Sequence, residues 1–504
     1  MKFNLTNKGN NKTVNCEGAD AYRLSPEWQL YTAAVTSSLS DKFYESAQTR
    51  IETIRELVSK CNPLFIAQLA IYTRQKMNLR SIPLVLAVEL TKVHHGDSTV
   101  CKMVSQIVQR ADEITELLAY YQLANKRTDV KKLNRLSKQL QNGLQEAFNR
   151  FDEYQFAKYN RDTEIKLRDA LFLVHPKAKD ENQQAIFNKI VDNKLETPYT
   201  WETELSALGQ NSFASEQEKE AAFRAKWEEL IDSGKVGYMA LMRNLRNILD
   251  AGVSKEHIAK VCETLSSPEA VRRSKQLPFR FLAAYREISK VVSIHAGQIM
   301  GALEQAVSVS AENIKGFDAN TSVCIACDVS GSMQTPISPK SKILSYDIGL
   351  MLAMLLKSRC STAITGMFGD KWKVINVPTQ GILSNVDTFY RREGEVGYAT
   401  NGYLVIDDLI KRKQLIDKVM MFTDCQMWDT GHTKNIAQVW NQYKKISPES
   451  KLYLFDLAGH GNTPLDISRR DVYLIAGWSD KVFDIIAAID EGGDALDEIR
   501  KIVL

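Results

Sequence analysis

Missing from this sequence is any apolar stretch long enough to cross a bilayer, because each hydrophobic run meets a charge well short of the roughly 20 residues a spanning helix needs. The opening segment, MKFNLTNKGNNKTVNCEGAD, also lacks the apolar core of a secretion signal. A cytoplasmic protein without a membrane partner is expected. Cysteine is sparse, eight in 504 residues, and Cys16, Cys61, Cys101, Cys262, Cys324, Cys327, Cys360 and Cys425 are too scattered for a disulfide framework. The sequons at Asn4 and Asn11 are accordingly expected to stay unmodified. Strong charge is absent as well: 65 basic against 61 acidic side chains leave +4, so attraction to nucleic acid must come from local patches. No GxxxxGK[ST], HExxH or GxSxG run assembles a nucleophile with a base, and neither His432 nor His460 has a recognisable catalytic partner. An enzyme is not expected.

What is present divides into two rhythms. A chain of this length exceeds one growing core, and its 44% apolar content supplies two. From about Glu27 to about Ala311, apolar residues recur at three and four, which predicts an all-α half. Asn62 and Pro63 suit a helix start that stacks Phe65, Leu69 and Tyr72, whereas Leu79–Pro83 reads as a connection. Tyr238, Leu241, Met242, Leu245, Ile248 and Leu249 form one stripe, with Gly252 as its cap. Successive helices on short links suggest a solenoid, although no repeat period is countable. After Gly316, short apolar runs at 323–326, 363–368, 419–422, 452–457 and 472–476 alternate with helical stretches, which predicts a doubly wound, mostly parallel sheet. Phe317–Asn320 is the expected border, giving domains 1–315 and 316–504.

The run Cys327-Asp328-Val329-Ser330-Gly331-Ser332 follows the first of these strands, where an open α/β sheet exposes its ligand site. One carboxylate and two hydroxyls at alternate positions around a glycine bend are hard oxygen donors suited to a magnesium-like ion. A tight turn without metal is the plainer alternative for a lone DxS. The pair Cys324 and Cys327 is read as strand packing, because positions three apart in a strand face opposite ways and no second CxxC completes a zinc site.

This DxSGS run resembles the metal-ion-dependent adhesion site of von Willebrand A domains. That resemblance implies that Thr400, in the run 397–402, and Asp424, after the fourth strand, complete the shell of a divalent ion, with Mg2+ the expected cation. It also implies an open position for a partner protein's carboxylate.

In the helical half, Ala157–Asp169 followed by His175-Pro176-Lys177 mixes cations with a tyrosine and a histidine. Such a mixture suits phosphates and unstacked bases. Lys126, Arg127, Lys131, Lys132, Arg135 and Lys138 form a second basic stretch, of a kind more often a solvated helix face. Leu69–Arg74 with Leu79–Pro83, the Lys158-to-His175 block, Gly237–Asn247 and Leu277–Arg280 together resemble the TROVE module. TROVE followed by an A domain is the architecture of the Ro autoantigen family.

The family resemblance implies a ring of HEAT-like helical repeats closed by the A domain. It implies binding of Y-like small noncoding RNA on a basic surface and of the single-stranded 3′ ends of misfolded RNA through a central hole, by a monomer that could serve an exoribonuclease. Lys158 and His175 match the family's RNA contacts. The family's arginine falls at Asp162, with Arg161 one residue earlier, and Lys166, Arg168 and Lys177 complete the candidate set; Arg243 and Arg246 stand between RNA contact and a solvated face. The competing reading is a metal-dependent protein adaptor that does not bind RNA.

Overall fold

The computed structural model describes residues 11–37, 46–126, 135–312, 314–317, 320–338, 341–428 and 434–504. Asn4, Arg127, Lys131, Lys132, Asp318, Ala319 and His432 lie outside the described residues. Two compact units emerge: Met1–Lys60, Leu277–Leu282 and Ser310–Glu498 form one, and Cys61–Gln276, Ala283–Val309 and Ile499–Leu504 the other. This division differs from a single border near residue 315, for reasons visible in each unit. Among the described residues, no helix is long and apolar enough to cross a membrane.

Among the described residues the first unit holds nine strands: β1 Lys12–Val14, β2 Asp20–Arg23, β3 Ser322–Asp328, β4 Thr362–Phe368, β5 Trp372–Val374, β6 Lys418–Thr423, β7 Lys451–Asp456, β8 Asn462–Thr463 and β9 Val472–Ala476. Six of them form one mixed sheet in the order β5-β4-β3-β6-β7-β9, parallel except for the β4–β5 pair. The five long runs read from sequence are its parallel strands. They are continuous in apolar residues because helices cover both faces. On one face Cys324, Ala326, Val419 and Met421 pack with Val405, Ile406, Val439 and Trp440 from the Tyr403–Lys411 and Ile436–Tyr443 helices. The other face receives the Ser345–Lys357 helix, buried from Tyr346 onward, and there Phe422 and Phe455 stack at 4.3 Å. A Cβ at Gly349 would stand 3.4 Å from the Phe422 Cβ, so this helix lies close against the sheet.

The first sixty residues join this unit through polar anchors as well as apolar contact. Buried Tyr31 donates its hydroxyl to the Ala476 carbonyl at 3.1 Å, and Arg50 donates to the carbonyls of Ala458 and Gly459 at 2.7 and 2.8 Å. The β1–β2 hairpin extends to β8 in an antiparallel sheet.

The helical unit follows the predicted rhythm, with local differences. Asn62 caps the Pro63–Gln75 helix by accepting from the Leu64 amide at 2.9 Å. Ser81-Ile82-Pro83, read as a connection, instead opens the Ser81–Val93 helix, because proline in a first turn removes an amide that has no intrahelical partner anyway. The stripe at 238–249 is two helices, Tyr238–Arg243 and Leu245–Asp250. Asn244 divides them, its side-chain amide donating back to the Ala240 carbonyl at 2.9 Å in competition with the helix ladder. The final residues return to this unit, where Gln68 donates to the carbonyls of Arg500 and Ile502 at 2.8 and 3.0 Å.

At its centre is Glu113, wholly buried in the first turn of the Ala111–Ala124 helix. One carboxylate oxygen accepts from Arg74 at 2.8 Å and Arg80 at 3.3 Å; the other accepts from the amides of Gln109 and Arg110 at 2.8 and 3.2 Å. Removing one member strands a buried opposite charge, which costs about 3–5 kcal/mol, whereas replacing the pair with apolar side chains costs far less. Urea unfolding should therefore show Glu113→Ala losing about 3–5 kcal/mol and Glu113→Leu with Arg74→Leu losing clearly less. A double variant as unstable as the single one would contradict this account of the charge.

Candidate functional site

The C-terminal end of β3 delivers Asp328 beside the end of β6, because the two strands pair in parallel with Cys327 opposite Phe422. Asp328 is buried, and its two oxygens accept from the Ser330 amide at 2.9 Å and the Thr423 hydroxyl at 2.6 Å. Ser330 and Ser332 stand 3.3 Å apart through their hydroxyls, and the Ser332 side chain hydrogen-bonds to Asp424. Asp424 also accepts from the Gln426 amide at 2.9 Å. Four of the five metal residues expected from sequence are thus linked side chain to side chain or along one turn.

Thr400 joins them through backbone. Its carbonyl accepts from the Trp428 amide at 3.0 Å, and the Tyr398 carbonyl accepts from the Gly331 amide at 3.0 Å, so the three site loops are cross-tied. Behind them, the Gly369 carbonyl accepts from the Asn401 amide at 3.2 Å. A Cβ at Gly369 would lie 2.1 Å from the Gly397 carbonyl oxygen, so only glycine allows that approach. Cys425, between Asp424 and Gln426, adopts φ +62°, a left-handed conformation rare outside glycine and frequent where a side chain must be aimed.

The charges at this site oppose one another. Burial first, and then the Asp424 charge, lift Asp328 well above the usual carboxylate range, to about 7; burial likewise raises Asp424. The donor set fits a hard divalent cation: two buried carboxylates whose charge nothing basic offsets among these contacts, with the hydroxyls of Ser330 and Ser332 alongside and Thr400 on a loop tied to them. Among the described residues no group of three or more His, Cys, Asp or Glu is arranged to hold a metal, so a cation here depends on those hydroxyls. Cys324 and Cys327 are free and buried in β3, and burial pushes the Cys324 thiol up to about 12.

The RNA candidates occupy consecutive elements of the helical unit. Lys158 ends the Glu153–Tyr159 helix, with its ammonium 5.5 Å from the Tyr154 ring and 5.8 Å from that of Tyr159. Arg161 follows in the loop; Lys166 caps the Leu167–Val174 helix, which carries Arg168, and His175 and Lys177 come directly after it. All six are exposed. Lys166 differs from the rest, because Asp162 holds it at 2.8 Å, an exposed pair that a phosphate can displace at small cost. His175 takes φ +51° and ends the helix with its backbone, leaving the ring outward.

Sequence reading missed what holds that loop. Gln141 and Gln145 donate to the Val174 carbonyl at 3.0 Å, Gln145 also to the His175 carbonyl at 3.0 Å, and Asn149 to the Lys177 carbonyl at 2.8 Å. Asn149 in turn accepts from the Lys179 amide at 2.9 Å. Amides spaced by four on the Lys138–Phe148 helix and just beyond it were the available signal. Of the second basic stretch, Lys138 bonds Gln141 at 3.3 Å; Arg246 pairs with Asp250 at 3.5 Å, as a solvated face would.

A profile of the TROVE domain matches residues 28–193 and 192–304, more than half of the chain. The chain belongs to the TROVE domain family. Over 343 residues, 52% of its length, it is 26% identical to telomerase protein component 1 of Rattus norvegicus, and over 341 residues 26% identical to that of Mus musculus. These matches span only 12% of the relatives' own length. The crystal structure of the Deinococcus radiodurans Ro (RSR) protein superposes with a TM-score of 0.59 at 18% identity, covering 93% of this chain and 100% of that one. The fold, in both halves, is therefore of the Ro type.

The raised Asp328 gives a pH test in the absence of metal. A carboxyl whose pKa is higher folded than unfolded favours the fold while protonated and withdraws that support as pH climbs from its unfolded to its folded value. For Asp328 this window runs from about pH 4 to about 7. Asp328→Asn can keep its oxygen toward the Ser330 amide and its NH2 toward the Thr423 hydroxyl without taking a charge. In chelator, its melting temperature should exceed that of the wild type at pH 8 by more than at pH 5. An equal difference at both would show that the carboxylate is not strained by burial.

Proposed function

We propose that this chain is a noncatalytic RNA-binding protein whose helical unit grips structured RNA carrying a single-stranded end. Membership of the TROVE family, a family of RNA-binding ribonucleoproteins, supports this reading. The observation that carries it is the fixed presentation of Lys158, Arg161, Arg168, His175 and Lys177. All five are exposed and have no carboxylate partner among the described residues, Lys158 lies beside the rings of Tyr154 and Tyr159, and side-chain amides bracket the backbone of His175 and Lys177. Cations set between ring faces suit phosphates and splayed bases. We read the bound RNA as a Y-like small noncoding RNA and the 3′ ends of misfolded RNA, in a quality-control role that hands substrates to an exoribonuclease.

The sheet unit is read in the same proposal as a von Willebrand A-type domain holding a divalent cation, Mg2+ by donor type, at Asp328, Ser330, Ser332, Thr400 and Asp424. A bound cation would supply charge balance to the two carboxylates and an open position for a partner's carboxylate. These residues also support the adaptor reading, in which protein ligands bind through the metal and RNA does not bind.

Filter binding of matched hairpins with and without a 3′ single-stranded extension, across salt concentrations, separates the two. Phosphate contacts release counterions, so affinity should fall steeply with salt, and Lys158→Ala should lower the slope of log affinity against log salt by about one. His175→Ala should weaken binding with a smaller salt effect. The extended hairpin should bind tighter, since A-form grooves hide base edges and an unpaired end exposes them. Equal binding of both hairpins, unchanged by either substitution, would leave the adaptor as the better account.

A further inference from the structure

Between β1 and β2 the chain makes a tight turn that the metal reading does not yet use. Asn15 closes it: its side-chain oxygen accepts from the amides of Glu17 and Ala19 at 3.0 and 2.9 Å, and its own amide donates to the Ala19 carbonyl at 2.9 Å. Gly18 takes φ +77° to complete the reversal. The turn is fastened to the loop behind Asp424. Asn15 donates its side-chain NH2 to the Met427 carbonyl at 2.5 Å, and the Cys16 amide donates to the Gln426 side chain at 2.9 Å.

Gln426 is fully buried and is the connector. Its backbone amide binds the Asp424 carboxylate at 2.9 Å, and its side-chain NH2 reaches the Asp424 carbonyl at 3.3 Å and Asn462 of β8 at 3.2 Å. A direct chain of hydrogen bonds therefore runs from Asp424 through Gln426 to Cys16, one residue from Glu17. β8, which carries Asn462, pairs with β2 at Tyr22 and Arg23, so the hairpin is tied to the same network at its other end. Glu17 is exposed and follows Cys16 directly, so the hydrogen bonds that fasten the turn to the Asp424 loop also hold this carboxylate at the rim of the site.

We propose that the Asn15–Ala19 turn is part of the metal centre: Asn15 positions the loop behind Asp424, and Glu17 supplies an outer carboxylate that strengthens divalent-cation binding. This inference rests on the metal reading above. It gives the N-terminal hairpin a role in the sheet unit beyond covering it, and it makes cation affinity depend on a segment more than 300 positions away in sequence from the first site loop.

The test titrates Mn2+ or Mg2+ alone into the full chain by calorimetry, for wild type, Asp328→Ala, Glu17→Gln, Glu17→Asp and Asn15→Ala. Wild type should bind and Asp328→Ala should not. Glu17→Gln, an exposed change that spares the fold, should weaken binding by about threefold to tenfold at low ionic strength, with the difference shrinking at about 0.5 M KCl. Glu17→Asp should restore most of the loss, which a merely structural role would not require. Asn15→Ala should weaken binding at every salt concentration. Wild-type binding with Glu17→Gln indistinguishable from it would overturn the proposal and leave the metal reading standing. No binding by the wild type would remove both.

Discussion

The helical unit depends on one buried carboxylate. Glu113 ties Arg74, from one preceding helix, and Arg80, just ahead of the next, to the amides that open its own helix. Four donors on two oxygens fully satisfy a charge that would otherwise be costly to bury. The consequence extends to the surface. Arg110, whose amide Glu113 accepts, grips Asp112 through two bonds of 3.1 and 2.8 Å and lies 4.2 Å from the centre of the Tyr159 ring. Tyr159 adjoins Lys158. The proposed RNA surface is thereby braced from below by a guanidinium already committed to a carboxylate, so its tyrosine is held in place before any ligand arrives. Preorganisation of this kind reduces the ordering cost of binding.

The sheet unit is organised by the opposite condition. Asp328 and Asp424 are buried as like charges, and their partners are hydroxyls and amides, which soften but do not cancel repulsion. Such a pair is out of place in a structural core and apt for a cation. The glycine contact between Gly369 and Gly397, and the cross-ties through Tyr398 and Thr400, fix the loops around it. On the proposed metal reading, stability and cation binding are set against each other here, whereas at Glu113 the buried charge serves the fold.

Much of this was legible because the relevant signals are local. Parallel strands buried on both faces must be apolar throughout, so five of them stood out as runs, and Asn62-Pro63 announced its helix. β5 was missed because Trp372-Lys373-Val374 is too short and too mixed to mark an edge strand, and β1 and β2 for the same reason. The stripe at 238–249 concealed a break, since periodicity is blind to a side chain such as Asn244 that competes for its own helix's carbonyl. At the sites, residue types and spacing pointed to Asp328, Ser330 and Ser332, and resemblance to Thr400 and Asp424. Nothing in the spacing could pair Thr423 with Asp328, or bring Asn15 to Met427, because those contacts are created by strand register and tertiary packing.

The central claim, that the helical unit is an RNA-gripping surface, is tested most directly by sequencing the RNA recovered with the purified full chain, beside a variant carrying both Lys158→Ala and Lys177→Ala. The account requires enrichment of short structured RNAs bearing a single-stranded end, and their loss from the variant. Recovery of no RNA above background, or of the same RNA in equal amount from the variant, would contradict it.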